Sequence, residues 1–225
     1  MTSLDEIGLK YAYGFGKGKN YVGGDKTSLG NNFTETYEKI FEPMREQKIN
    51  LLELGVLTGR SIAMWSDYFS QASIHGIDIS LAQYYENERE LKKHSAFKNN
   101  NVILIEADIT SDQFKDVIKN DLPMFDIVID DALHTAKQQF DNFINLFNNL
   151  NKGGYYVVED VIEPENLLDR FADIIKCSMN PGAHASRGYL RSTVSSKQEQ
   201  NKYYSIAIKI DSIVIKQNLI IIKKK

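Results

Sequence analysis

The sequence predicts a doubly wound α/β fold: a mostly parallel seven-stranded sheet, helices on both faces, and an antiparallel hairpin at the C-terminal edge. Three observations carry this. Short, nearly continuous apolar runs recur along the chain, as strands buried on both faces require. Segments with helical spacing separate them, which is the alternation of a parallel sheet. The last two apolar runs follow one another with no helix between, so one of them runs antiparallel. With 225 residues, 42% of them hydrophobic and 25% charged, the chain reads as one large globular domain, 1–225.

The elements are justified in order. Tyr11 to Asn32, rich in glycine, tyrosine and lysine, reads as loop. Its run Gly14-Phe15-Gly16-Lys17-Gly18-Lys19 lacks the glycine spacing, the following Ser/Thr and the preceding strand of a phosphate-binding loop. A helix from Phe33 to about Gln47 sets Phe33, Tyr37, Ile40, Phe41 and Met44 along one face. Strands follow at Ile49 to Leu54, Ile74 to Ile79, Val102 to Ala107, Phe125 to Ile129 and Tyr155 to Val158. Helices at Ser61 to Phe69, Glu86 to His94, Phe114 to Ile118 and Ala136 to Leu150 alternate with them, the last ended by Gly153-Gly154. Tyr204 to Ile210 and Ser212 to about Ile222 read as the closing pair of strands. Between them and the fifth strand, 163–200 shows poor periodicity broken by Pro181-Gly182, which reads as a lid over an acceptor.

Composition narrows the function classes. A net charge of −3 gives no general attraction to nucleic acid or to a membrane surface. No apolar run approaches the roughly 20 residues of a membrane span. Met1 to Lys10 lacks a signal-peptide pattern, and the single cysteine, Cys177, forbids an intrachain disulfide. The expectation is a cytoplasmic protein acting on a small molecule, with assembly into a homo-oligomer left open.

In open parallel sheets ligands bind beyond the carboxyl ends of the strands. After the first strand come Glu53, Gly55 and Gly59, leading into a helix at about Ser61. Such glycines let a ligand approach the backbone and the free helix N–H groups. Asp78 ends the second strand, where an acid can accept from ribose hydroxyls, and Asp108 ends the third, near the place of an adenine amino group. A dinucleotide site would want glycines where Leu57 and Arg60 stand. After the fourth strand comes Asp130-Asp131-Ala132-Leu133-His134, and after the fifth Glu159-Asp160. Neighbouring strand ends put these acids on one rim, and clustered carboxylates without cysteine suit Mg²⁺, with Ca²⁺ and Mn²⁺ as alternatives. The competing reading is that each acid caps the helix after it. His134 is the candidate general base, with His184 in the lid as a second candidate; His75 reads as core and His94 as a helix-surface residue.

Glu-x-Gly-x-x-x-Gly followed by Asp78 and Asp108 resembles the class I S-adenosylmethionine-dependent methyltransferases, whose Rossmann-like sheet also ends antiparallel. Within them the chain resembles the magnesium-dependent sugar O-methyltransferases of the macrocin and mycinamicin kind. The matching segments are Asp25-Lys26 with Asn32-Phe33-Thr34-Glu35-Thr36-Tyr37-Glu38, Leu52-Glu53-Leu54-Gly55-Val56, Ile129-Asp130-Asp131-Ala132-Leu133-His134, and Gly153-Gly154-Tyr155-Tyr156-Val157-Val158-Glu159-Asp160. Asn32 stands where the family often has histidine, and Ala132-Leu133 replaces its Gly-Ser.

The resemblance implies a divalent metal held by Asp131, Glu159 and Asp160, with Asp130 close by, and His134 as base. It further implies that Lys26, Thr34 and Tyr37 close over the donor, within an N-terminal segment 1–47. The expected reaction is methylation of a sugar hydroxyl, on a nucleotide-linked or lipid-linked sugar for bacterial surface polysaccharide, with Arg170, Arg187 and Arg191 of the lid meeting its phosphates. Methylation of a catechol or natural product is the alternative. A nicotinamide-dependent oxidoreductase and a non-catalytic binding module are alternatives of another class.

Overall fold

The computed structural model of the chain describes residues 2–17, 23–98, 101–179 and 197–225. Its seven strands form one mixed sheet in the order β3-β2-β1-β4-β5-β7-β6, with helices flanking it. The chain divides into two compact units, Met1–Ile109 and Thr110–Lys225.

The first unit opens on α1 (Leu4–Tyr11), a helix absent from the sequence reading. Ser3 and Glu6 close a capping box at its start, and Leu4, Ile7, Gly8 and Tyr11 bury one face. α2 (Phe33–Phe41) ends earlier than expected, and the chain tightens into a 3₁₀ turn over Glu42–Met44, which contains Pro43. β1 (Asn50–Leu54), α3 (Arg60–Tyr68), β2 (Ser73–Asp78), α4 (Ala82–Lys93) and β3 (Val102–Glu106) follow the predicted alternation. The strands are parallel, with Leu54 opposite Ile77 and Asp78 opposite Glu106. Beside them α2 and α3 share an aromatic core: Tyr37 lies 5.4 Å from Phe41 and 5.6 Å from Trp65, ring to ring, and all three are buried.

In the second unit α5 (Phe114–Asn120) leads to β4 (Phe125–Asp130), and α6 (Ala136–Leu146) to β5 (Leu150–Val158). The predicted helix end is corrected here. α6 stops at Leu146, a 3₁₀ turn spans Phe147–Asn149, and Gly153-Gly154 lies inside β5. Phe125 pairs with Leu150 but Ile127 with Tyr155, so residues 151–154 bulge out of register. Gly153 has φ 77°, and a Cβ on Gly154 would come 2.8 Å from the Asp126 carbonyl oxygen, so glycine is needed in the bulge.

Part of the expected lid is a helix. α7 (Pro164–Met179) turns Leu167, Phe171 and Ile174 inward at helical spacing; 180–196 lie outside the described residues. Tyr204 to Ile210 is likewise not a strand. Tyr204 to Ala207 closes α8 (Lys197–Ala207), a turn follows, and the hairpin is β6 (Ile210–Lys216) and β7 (Leu219–Lys224). The run read as one strand from Ser212 is split by a turn in which Asn218 takes φ 56°. β7 pairs antiparallel with both β5 and β6, as the sequence predicted for the edge. Phe143 centres this unit's core, 5.0 Å from Phe171 and 5.2 Å from Tyr156.

Candidate functional site

In the first unit the predicted donor residues gather at the carboxyl ends of β1 and β2. Glu53 is fully buried, because it sits within a strand covered on both faces. Its charge is met by the Lys26 ammonium at 3.3 Å and by the Ser61 hydroxyl, which donates to it at 2.8 Å. Lys26 is itself buried. The turn from Gly55 to Gly59 is left-handed at Gly55 (φ 91°), Leu57 (φ 49°) and Gly59 (φ 75°). Asp78 organises it: one carboxylate oxygen accepts from the Val56 N–H at 2.8 Å and the Leu57 N–H at 2.9 Å, and the other from the Ser80 N–H. A carboxylate offers about four lone-pair sites, so these three bonds leave capacity for about one ligand hydroxyl.

Other predicted donor residues take different places. Gly59 is buried, and a Cβ there would lie 2.5 Å from Tyr84 Cδ2, so its lack of a side chain serves the approach of α4. Thr34 is buried and donates its hydroxyl to Asp5 at 2.7 Å. Tyr37 packs in the aromatic core described above. Asp108 is exposed, two residues beyond the end of β3.

In the second unit the acids separate into two groups. Asp131, His134 and Asp160 each turn a ligand atom toward the others, all within 4.8 Å. His134 Nε2 is 3.3 Å from Asp131 Oδ1 and 4.0 Å from Asp160 Oδ2. The hydrogen bond to Asp131 holds the imidazole above its usual pKa, with Asp160 and Asp130 adding to the effect against partial burial. Asp160 reaches this position through a left-handed turn after β5, φ 47°. Glu159 is buried and stands outside the cluster. Asp130 is also fully buried. It accepts from Asn142 at 3.0 Å and from the Tyr156 hydroxyl at 3.3 Å, and burial pushes its carboxyl up to about 7.

The sequence reading passed over the polar side chains beneath this cluster. Gln139 donates to the Glu159 carbonyl at 2.7 Å, and Gln138 to Asn142 at 2.8 Å, all buried. Their signal was available: amides interrupt the otherwise apolar face of α6 formed by Phe140, Phe143 and Ile144. His75 is buried in β2, as expected, and burial lowers its pKa. His94 stacks on Tyr13 at 4.6 Å. His184, Arg187 and Arg191 lie outside the described residues, whereas Arg170 lies on α7. No helix among the described residues is long and apolar enough to cross a membrane.

Comparison with known proteins adds relatives to this geometry. The chain is 32% identical over 146 residues to an 8-demethyl-8-α-L-rhamnosyl tetracenomycin-C 2'-O-methyltransferase of Streptomyces olivaceus, covering 62% of this chain and 35% of that one. It is 31% identical over 136 residues to mycinamicin VI 2''-O-methyltransferase of Micromonospora griseorubida, covering 57% and 31%. The chain thus spans about a third of the length of these relatives. Among solved structures, the MycE methyltransferase of the mycinamycin pathway, in complex with Mg and SAH, matches with a TM-score of 0.69. The match covers 99% of this chain and 53% of that one at 23% identity, and it speaks for the fold. The model of the methyltransferase domain family matches residues 45–210, from the approach to β1 through the start of β6, and the chain belongs to that family.

Proposed function

We propose that the protein is an S-adenosylmethionine-dependent O-methyltransferase acting on a sugar hydroxyl, with divalent-metal and general-base assistance. The observation that carries the metal-assisted reading is the convergence of Asp131, His134 and Asp160 within 4.8 Å. The two carboxylates suit a hard divalent cation such as Mg²⁺, which takes oxygen ligands, and leave the His134 imidazole beside it as the base. Asp131 and Asp160 would hold the metal; Glu159, buried apart from them, supports the turn through its carbonyl bond to Gln139. The donor residues fit their ligand through the open left-handed turn at Gly55 and the half-buried Asp78. When bound, S-adenosylmethionine supplies the methyl group and the metal lowers the pKa of the acceptor hydroxyl.

His134 would take the hydroxyl proton as the methyl group passes to the acceptor oxygen and its bond to the donor sulfur breaks, leaving the neutral thioether. With Nε2–H directed to Asp131, Nδ1 is the ring nitrogen that accepts it. Asp131 then stabilises the imidazolium. The relatives' names support a sugar carried by a natural product; nothing in them supports a nucleotide-linked sugar for polysaccharide.

Calorimetry with S-adenosylmethionine and with NAD(H), each with and without EDTA, tests the proposal. S-adenosylmethionine should bind and NAD(H) should not. Absence of S-adenosylmethionine binding overturns the reaction type. Undiminished turnover after chelation removes the metal from the mechanism.

A further inference from the structure

We propose that a cleft between α6, α7 and α8 binds the uncharged glycosyl part of the acceptor and rejects a diphosphate-linked sugar. The proposal rests on the methyl-transfer reading above and names the substrate class for it. The cleft has a volume of about 500 Å³, within the range of small-molecule sites. It begins where the acid–histidine cluster ends. Thr135 in its wall is bonded to His134, and Glu163, just past Asp160, accepts from the Ala136 N–H at 3.2 Å.

Its lining has the chemistry of hydroxyl recognition. Asn166, Asp169, Arg170 and Asp173 share one face of α7, at i, i+3, i+4 and i+7, and all four line the cleft. Carboxylates accept from hydroxyls, while the amide and guanidinium donate to them. Two rings in the lining, Phe140 and Tyr203, meet edge to face at 5.6 Å and offer an apolar surface to ring C–H groups.

The charge balance decides against a diphosphate. Lys137 is paired with Asp141 at 2.6 Å and Asp173 with Lys176 at 3.7 Å, which leaves Glu163 and Asp169 against Arg170. A diphosphate would therefore meet two carboxylates with one arginine to balance them, whereas a neutral glycoside meets no such repulsion.

Saturation-transfer NMR on the full chain tests this, with methyl α-L-rhamnoside and methyl α-D-glucoside as neutral probes and UDP-glucose as the diphosphate probe. At least one glycoside should receive saturation. Asn166→Ala or Asp169→Ala, both at exposed positions on α7, should weaken its binding about tenfold, the loss of a hydrogen bond to a polar or charged group. UDP-glucose should not displace it. The proposal is overturned by no transfer to either glycoside, by binding that both variants leave unchanged, or by displacement with UDP-glucose. S-adenosylmethionine calorimetry on the same samples separates the two readings. Donor binding without glycoside contact overturns the cleft alone; glycoside in the cleft of a chain that binds no donor overturns methyl transfer alone.

Discussion

Gly59→Ala is a sharp test of how the β1–α3 turn is built. Residue 59 sits at φ 75° and ψ 13°, and an L-residue held there costs about 1–2 kcal/mol. The added Cβ would lie 2.5 Å from Tyr84 Cδ2, 3.0 Å from Cε2 and 3.2 Å from Leu91 Cδ1. Carbon atoms settle at about 3.5–4.0 Å, so the ring must retreat by roughly 1 Å. Tyr84 is 5% exposed and Leu91 fully buried, which leaves little room, and overpacking of this kind costs about 1–3 kcal/mol. The sum is about 2–5 kcal/mol, read as a lower urea-unfolding midpoint. In a Tyr84→Leu background the clash is relieved and the cost should fall to the backbone part, about 1–2 kcal/mol. The difference is a coupling energy of about 1–3 kcal/mol between residues distant in sequence. A loss below about 1 kcal/mol, or a coupling near zero, would refute the packing account. An effect confined to donor affinity would return Gly59 to a ligand role.

Three more expectations follow from the geometry. His134→Ala should lower turnover by about 10² or more with donor binding by calorimetry unchanged; a change in donor affinity alone would refute its role as base. Lys26→Met leaves the buried Glu53 carboxylate without its ammonium and should cost about 3–5 kcal/mol in urea unfolding, with much of the loss recovered in Lys26→Met/Glu53→Gln. No recovery in the double variant would show that the pair is not the source. His75 has its folded pKa lowered by burial, so its contribution is complete above the unfolded value near 6.5 and is lost as pH falls through the folded value. The unfolding midpoint should drop on acidification below that point, and less so in His75→Gln; parallel curves would contradict this.

The sequence by itself determined the β1–β5 alternation, because strands covered on both faces must be apolar throughout and helices must repeat at their own period. It therefore also placed Asp78, Asp131 and Asp160 near strand ends, where a parallel sheet binds ligands. Local pattern could not settle Tyr204 to Ile210. Tyr204, Ile206 and Ile208 alternate like a strand, while Tyr203, Ile206 and Ala207 repeat like a helix. The helix buries Ile206 and Ala207 and sets Tyr203 against Phe140. Nor could it separate Glu159 from Asp160, which are neighbours in the chain; the left-handed turn at Asp160 sends one toward His134 and leaves the other buried. The Gly55 to Gly59 turn reads from sequence as one ligand loop, yet Tyr84 and Leu91 on α4 make Gly59 a packing glycine. Periodicity is local and so is written in the sequence. Which side chain meets which depends on contacts between residues far apart in the chain, and only the tertiary structure decides those.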